Sequence, residues 1–191
     1  MELPLYILDI DENDKETFVD AIGLVETPAI ESNWFAFATQ KSNFHVLNEE
    51  KQILAGAAMI PNLPIYRNDN GKEYYVAFNE KSIEKIVNKY FRLGLNQNFN
   101  IDHNPDAQVK DVHIQQSFII NTELGVNAPK GYENLPNGTW FIFLKVNDSA
   151  TWQMAKEGKI KGFSVEGVFN DKKIMDAEID LLEKVKNLII K

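Results

Sequence analysis

Residues 161–167 read Lys-Gly-Phe-Ser-Val-Glu-Gly, and this stretch decides how we expect the chain to fold. Its apolar and polar residues alternate, which predicts a strand over Lys161–Phe169. Phe163 and Val165 then face the core, while Ser164 and Glu166 share the other face. The flanking glycines let another backbone or a substrate approach closely. On pattern alone, the serine and the glutamate are most simply polar residues on a solvated face.

A second polar stretch lies upstream, where residues 100–104 read Asn-Ile-Asp-His-Asn. Residues 96–111 show no helical periodicity, which predicts a strand end followed by a loop, and such loops often carry catalytic residues. A serine hydroxyl becomes a good nucleophile when a base takes its proton, and histidine is the usual base near neutral pH. Ser164 and His103 are therefore the best hydrolase pair in the chain, although a lone histidine more often lies in a surface turn.

Two familiar kinds of site do not fit these residues. A Gly-x-Ser-x-Gly elbow requires glycine at Glu166, and an α/β-hydrolase places its histidine after the serine. Asp102, Asn104 and Asp106 begin a calcium-loop pattern, but the pattern then requires a glycine and a glutamate at positions held by Ala107 and His113. The spacing of the histidines does not match a zinc site either.

Composition limits the classes of protein to consider. The chain has 191 residues, 44% of them hydrophobic and 25% charged, as in an ordinary globular protein. It has no cysteine, which excludes disulfides, thiolate metal sites and a cysteine nucleophile. The net charge of −8 repels nucleic acid and anionic membranes. We find neither a signal peptide nor a membrane-spanning run, so we expect an intracellular protein, unless a larger particle carries it.

Local signals place several elements. Asn70-Gly71, between aromatic runs, predicts a hairpin because both residues tolerate positive φ. Asn79 is a candidate N-cap for a helix whose apolar stripe runs from Ile83 to Phe91. Asp148 or Ser149 caps a short second helix. Trp34–Phe37 and Phe44–Leu47 are predicted to be short strands.

The complete pattern is that of an α+β protein, rich in strands and with about three helices. We expect a single domain over residues 1–191, with 1–50 as a candidate N-terminal extension and 172–191 as a C-terminal helix. The acidic run Asp9–Asp20 is most simply a solvated edge.

Several pieces of the chain, taken in order, resemble a known family. They are Val25–Glu31 with Trp34 and Phe37, Gly56–Ile60, Pro64–Arg67, Glu73–Val76, Asn100–His103, Gly138–Trp140 and Lys161–Gly167. In these pieces the chain resembles the phage prohead (capsid maturation) serine proteases, which are similar to the herpesvirus assemblins. Each piece alone is weak, and it is their order and joint presence that make the match specific.

The resemblance implies a β-barrel-like antiparallel core flanked by helices, the herpesvirus protease-like fold. It implies Ser164 as nucleophile and His103 as general base, with no cofactor. It also implies cleavage of phage scaffold and major capsid proteins inside the procapsid, in the host cytoplasm. A homodimer through the final helix follows by analogy, and neither nucleic acid nor membrane is expected as a partner.

The third catalytic residue is left open between two carboxylates or none. Glu166 is the first candidate because it shares a strand face with Ser164. Asp102 is the second, although neighbours in a strand point apart. The loop Asn121–Gly138 is a candidate border of the substrate cleft. The competing hypothesis is a non-catalytic structural or scaffold-associated phage protein with the same fold.

Overall fold

The computed structural model describes residues 3–27, 45–48 and 51–173. In these ranges the strands are β1 Leu5–Asp9, β2 Phe18–Val25, β3 His45–Asn48, β4 Ile53–Met59, β5 Ile65–Asp69, β6 Lys72–Ala77, β7 Phe99–Ile101, β8 Asn104–Val109, β9 Val112–Ile119, β10 Trp140–Val146, β11 Gly162–Val168 and β12 Asn170–Lys173. The helices are α1 Glu80–Arg92 and α2 Ser149–Lys156, and a 3-10 turn covers Thr122–Leu124. No helix in the described ranges is long and apolar enough to cross a membrane.

The strands form three sheets of four, in the orders β12-β1-β6-β5, β3-β4-β10-β9 and β11-β2-β7-β8. The fold class is α+β, as predicted. The expected antiparallel core is wrong for two pairs, because β1 runs parallel to β6 and β2 runs parallel to β7. Parallel neighbours need a long crossover, and a pattern of short strands does not reveal one. Within the described ranges no sheet closes into a barrel.

The predictions that rest on local signals are confirmed. Asn70 and Gly71 have φ of 51° and 88°, and they join β5 to β6 in a two-residue turn. The Asn79 side chain accepts a hydrogen bond from Ser82 N at 2.8 Å and caps α1. Asp148 caps α2 in the same way through Thr151 N at 2.7 Å.

The predictions for the N-terminal and C-terminal parts of the chain are confirmed only in part. The strand predicted near residues 44–47 is present as β3, and the described ranges contain two of the three expected helices. β12 extends to Lys173, so the start of the predicted helix over 172–191 is a strand instead. The rest of that helix, and the strand predicted at Trp34–Phe37, lie outside the described residues.

β2 was not predicted from the sequence, and neither was β8, which lies where we expected a loop. Residues 18–20, the first of β2, belong to the acidic run Asp9–Asp20 that we expected to be a solvated edge. Val19, Ile22 and Leu24 on β2 are nevertheless almost completely buried. β2 lies between β11 and β7, and β1 lies between β12 and β6. Residues 5–25 therefore supply interior strands to two sheets. The division into one domain with an extension over 1–50 stays a prediction.

A buried lysine holds the acidic run in place. Lys89 of α1 is 4% exposed, and its ammonium donates to the carbonyl oxygens of Asp11, Asp14 and Thr17. The run therefore wraps a cation supplied by the protein itself. This attachment fixes the start of β2 against α1.

The main core fills the space between the sheets and α1. Its largest fully buried members come from β2, β4, β7, β10, β11 and α1, and they include Ile22, Leu54, Phe99, Trp140 and Tyr90. The Tyr90 and Trp140 rings meet edge to face with centroids 5.5 Å apart.

Candidate active site

β11 positions the serine and the glutamate. Phe163 is 2% exposed and packs in the core, and Val165 packs against the same core, as the alternation predicted. Ser164 is 7% exposed, so it does not lie on a solvated face. β11 is the end strand of its sheet in the described part of the chain, and its other side is paired with β2. Among the described strands, the one that carries the serine therefore has one unpaired edge.

His103 lies in a tight turn rather than in a long loop. Asp102 and His103 have φ of 48° and 59°, and Ile101 pairs with Asn104 across them. Two successive residues with positive φ between paired strands form the I′ type of hairpin turn. Asp and His are among the non-glycine residues that tolerate this backbone best. The turn joins β7 to β8 and fixes where the imidazole starts.

Asp102 anchors this turn to the end of β2. Its backbone N–H donates to the carbonyl oxygen of Leu24 at 3.1 Å, and its carboxylate accepts from the backbone N–H of Glu26 at 3.1 Å. The carboxylate is thus bound to the neighbouring strand end. Both hydrogen bonds hold the backbone that carries His103 rather than its imidazole.

Gly23 provides the space that the imidazole occupies. In the sheet, Gly23 pairs with Ser164 on one side and with Asn100 on the other. Residues paired across neighbouring strands project to the same face, so these three form one row. A Cβ placed on Gly23 would lie 3.0 Å from both Cε1 and Nδ1 of His103. The ring therefore covers the middle of the row, between Ser164 and Asn100.

Glu166 binds the imidazole from the side. The distance from His103 Nδ1 to Glu166 Oε1 is 2.6 Å, with side chains 40% and 26% exposed. The same oxygen accepts from Asn100 Nδ2 at 2.7 Å. When Nδ1–H is given to a carboxylate, Nε2 is left as the nitrogen that can accept a proton.

Asn100 supports Glu166 from inside the sheet. Its residue exposure is 2%, and its Oδ1 is buried with no hydrogen-bond partner among the described residues. A buried amide oxygen without a partner is costly, and such cost is common where a structure is built for function. The amide fixes one oxygen of Glu166, which in turn fixes the imidazole.

Ser164 and Glu166 line a cleft of about 480 Å³, whereas His103, Gly23 and Asn100 are not part of its lining. Every residue of 163–169 lines it, which means that β11 forms one wall. The other lining residues are Leu8, Asp20, Ala58, Met59, Ile60, Leu63, Ile65, Arg67 and Phe78. β5, which supplies Ile65 and Arg67, is likewise an end strand of its sheet over the described residues. The cleft therefore lies between two sheet edges.

The loop Asn121–Gly138 does not border the cleft as we expected, because none of its residues lines it. The loop packs behind the cleft wall instead. Tyr132 donates to the carbonyl oxygen of Ala55 at 2.6 Å, and Leu135 packs against Ile60 and Leu63.

Two residues of this site were missed by sequence reasoning. Asn100 belongs to the stretch quoted with His103, but its spacing gave it no role. Gly23 lies on β2, a strand that was not predicted from the sequence. The signal for both is the pairing of β2 with β7 and β11, and this pairing joins residues far apart in the chain.

Two of the side chains that begin the calcium-loop pattern already accept hydrogen bonds within the protein. Asp102 is used by Glu26 N–H, and the Asn104 side chain accepts from Asp106 N at 3.0 Å. Over the described ranges no cluster of three or more His, Asp or Glu side chains is arranged to hold a metal ion.

Comparison with known proteins identifies the family. The family model described as "Putative phage serine protease XkdF" matches residues 42–173, more than half of the chain. The match includes Asn100, His103, Ser164 and Glu166, and it begins after β2. Neither the curated proteins nor the solved structures gave a match. The chain belongs to this family of phage serine proteases.

Proposed function

We propose that the chain is a serine endopeptidase of phage capsid maturation, with Ser164 as nucleophile and His103 as general base. Glu166 is the carboxylate that orients His103. The observation that carries this proposal is the imidazole stacked over Gly23, next to Ser164 in the row and 2.6 Å from Glu166. A nucleophile, a base and an orienting acid in this order are the minimum that acyl transfer needs.

The chemistry follows from these three side chains. The Ser164 hydroxyl attacks the peptide carbonyl carbon while His103 Nε2 takes its proton, and the imidazolium then protonates the leaving amine as the C–N bond breaks. Water hydrolyses the acyl-enzyme by the same transfers in the second half of the cycle. Glu166 remains ionised and stabilises the imidazolium, and Asn100 positions Glu166. Backbone N–H groups stabilise the oxyanion, and the mechanism needs no cofactor.

The cleft supports a polypeptide substrate. Two sheet edges border it, and an exposed edge binds an extended peptide through main-chain hydrogen bonds. We propose that the physiological substrates are phage scaffold and major capsid proteins, cut inside the procapsid in the host cytoplasm. The herpesvirus protease-like barrel and the homodimer through the C-terminal helix belong to this proposal as well.

Coexpression tests the proposal. The chain is produced together with the scaffold and major capsid proteins of its phage, as wild type, Ser164→Ala and Ser149→Ala. Ser149 is an exposed serine at the start of α2 and serves as the matched control. We expect cleavage with the wild type and with Ser149→Ala, and a fall in rate of about 10⁶-fold with Ser164→Ala.

Equal cleavage by Ser164→Ala and wild type would overturn the nucleophile assignment. Intact scaffold and capsid protein in every sample, together with assembly of the chain into the particle, would favour the non-catalytic structural protein.

A further inference from the structure

Arg67 gives the cleft a local positive charge. Among the residues that line the cleft in the described part of the chain, it is the only lysine or arginine. The rest of the lining is largely apolar, with Asp20 and Glu166 as its acids. The net charge of −8 does not attract acidic partners in general, so any such attraction has to be local.

The position of Arg67 on β5 directs it into the cleft. Ile65 and Arg67 are two residues apart on one strand and therefore share a face, and both line the cleft. The neighbouring Tyr66 projects to the other face, where its ring meets that of Tyr75 at 6.0 Å. The alternation of the β5–β6 hairpin thus fixes which side chain the cleft receives.

The Arg67 guanidinium has N–H groups that can bind a carboxylate. Its hydrogen bond is to the carbonyl oxygen of Tyr66 at 3.2 Å, and no Asp or Glu of the described residues lies within ion-pair distance of it. Arg67 is exposed on β5, and its partial burial lowers the pKa of the guanidinium. An arginine in such a place stays charged and favours a planar, bidentate acceptor.

The two acids of the cleft do not fill this role. Glu166 Oε1 is bound by His103 and Asn100. Asp20 lies near Tyr90, whose pKa is raised by burial and, to a lesser extent, by the Asp20 charge. A carboxylate that binds Arg67 would therefore come from outside the described residues.

We propose that Arg67 is a specificity-determining residue that binds a glutamate or aspartate side chain of the substrate near the scissile bond. This inference rests on the proposed endopeptidase function. The apolar lining from β4, β5 and the segment after β4 receives large apolar side chains beside that acid. The substrate class is thus an extended peptide in which an acidic residue is flanked by apolar residues.

Quenched-fluorescence peptide libraries provide the test. One position is fixed as Glu, Gln or Lys and moved along otherwise apolar sequences. The readout is the ratio of kcat/KM for Glu peptides over Gln peptides, measured for wild type, Arg67→Gln, Arg67→Glu and Lys72→Gln. Lys72 is an exposed cation of the same hairpin that does not line the cleft.

We expect the wild type to prefer Glu over Gln at one position by roughly 10- to 100-fold, the scale of a charge-assisted hydrogen bond. Arg67→Gln should abolish this ratio, Arg67→Glu should favour Lys peptides, and Lys72→Gln should keep the wild-type ratio. Cleavage by the wild type without an acidic preference, or with a preference that Arg67→Gln retains, would overturn the inference and leave the protease function standing.

A second readout separates the two proposals. Binding of the same Glu and Gln peptides to Ser164→Ala is followed by fluorescence anisotropy. If the wild type cleaves nothing, tighter binding of Glu peptides that is lost with the added Arg67→Gln change would support the acid site and refute the activity. Equal binding of both peptides would refute the acid site directly.

Discussion

At the residue scale, one oxygen of Glu166 connects the candidate catalytic residues to the sheet. Oε1 accepts from His103 Nδ1 and from Asn100 Nδ2, so the imidazole is fixed through a carboxylate that is itself fixed. A base held this way loses less conformational entropy when it enters the reaction. The two candidate acids thus have different tasks, because Asp102 binds the strand end through Glu26 N–H.

Substitution of the two acids separates these tasks. Glu166→Gln keeps the size of the side chain but removes the charge that stabilises an imidazolium, so we expect kcat to fall on the order of 10³- to 10⁴-fold. Asp102→Asn keeps an acceptor for Glu26 N–H and tolerates the positive φ, so kcat should stay close to wild type. Peptide cleavage and melting temperature are measured for both. A larger loss with Asp102→Asn would mean that Asp102 is the orienting acid.

Gly23 allows a second test at this scale. The methyl group of Gly23→Ala would lie 3.0 Å from the imidazole and force the ring to move. A displaced base costs about 10²-fold in rate, and we expect this loss in kcat with little change in melting temperature. Gly125→Ala is the control because its Cβ meets nothing within 4 Å. Its φ of 77° is unfavourable for alanine, so this substitution should lower stability without affecting the imidazole. Full activity of Gly23→Ala would show that the imidazole does not need this space.

At the element scale, α1 and the acidic run depend on Lys89. Lys89→Met leaves three carbonyl oxygens without their donor, and we expect the free energy of unfolding to fall by about 3 kcal/mol. Lys85→Met, on the same helix, removes an exposed ion pair with Asp9 of 2.7 Å and should cost less than about 1 kcal/mol. Urea unfolding of both variants measures the difference. Equal losses would mean that the lysine does not organise the run.

The elements that could be predicted are those with a local cause. Asn79 caps α1, and Asn70-Gly71 turns β5 into β6, through interactions that span only a few residues. The Phe163 and Ser164 faces also followed from alternation. β2 was missed because its partners β7 and β11 lie far along the chain. The sequence of residues 18–25 does not indicate with which strands β2 pairs.

At the scale of the whole molecule, the site is assembled from separated parts of the chain. β2 supplies the glycine, the β7–β8 turn supplies the histidine and β11 supplies the serine and glutamate, all within one sheet. The cleft adds residues from β1, β4 and β5 of the other two sheets. The family resemblance therefore named the candidate reacting residues, whereas the row over Gly23 and the cation in the cleft required the three-dimensional pairing.

The central claim is that His103 activates Ser164. A fluorophosphonate forms a stable adduct with an activated serine hydroxyl. Intact mass gives the number of adducts per chain and peptide mapping gives the labelled residue, so the test needs no known substrate. We predict one adduct per chain, mapped to Ser164, that is absent in Ser164→Ala and strongly slowed in His103→Ala. Wild type without an adduct, an adduct on another serine, or equal labelling of His103→Ala would contradict the account.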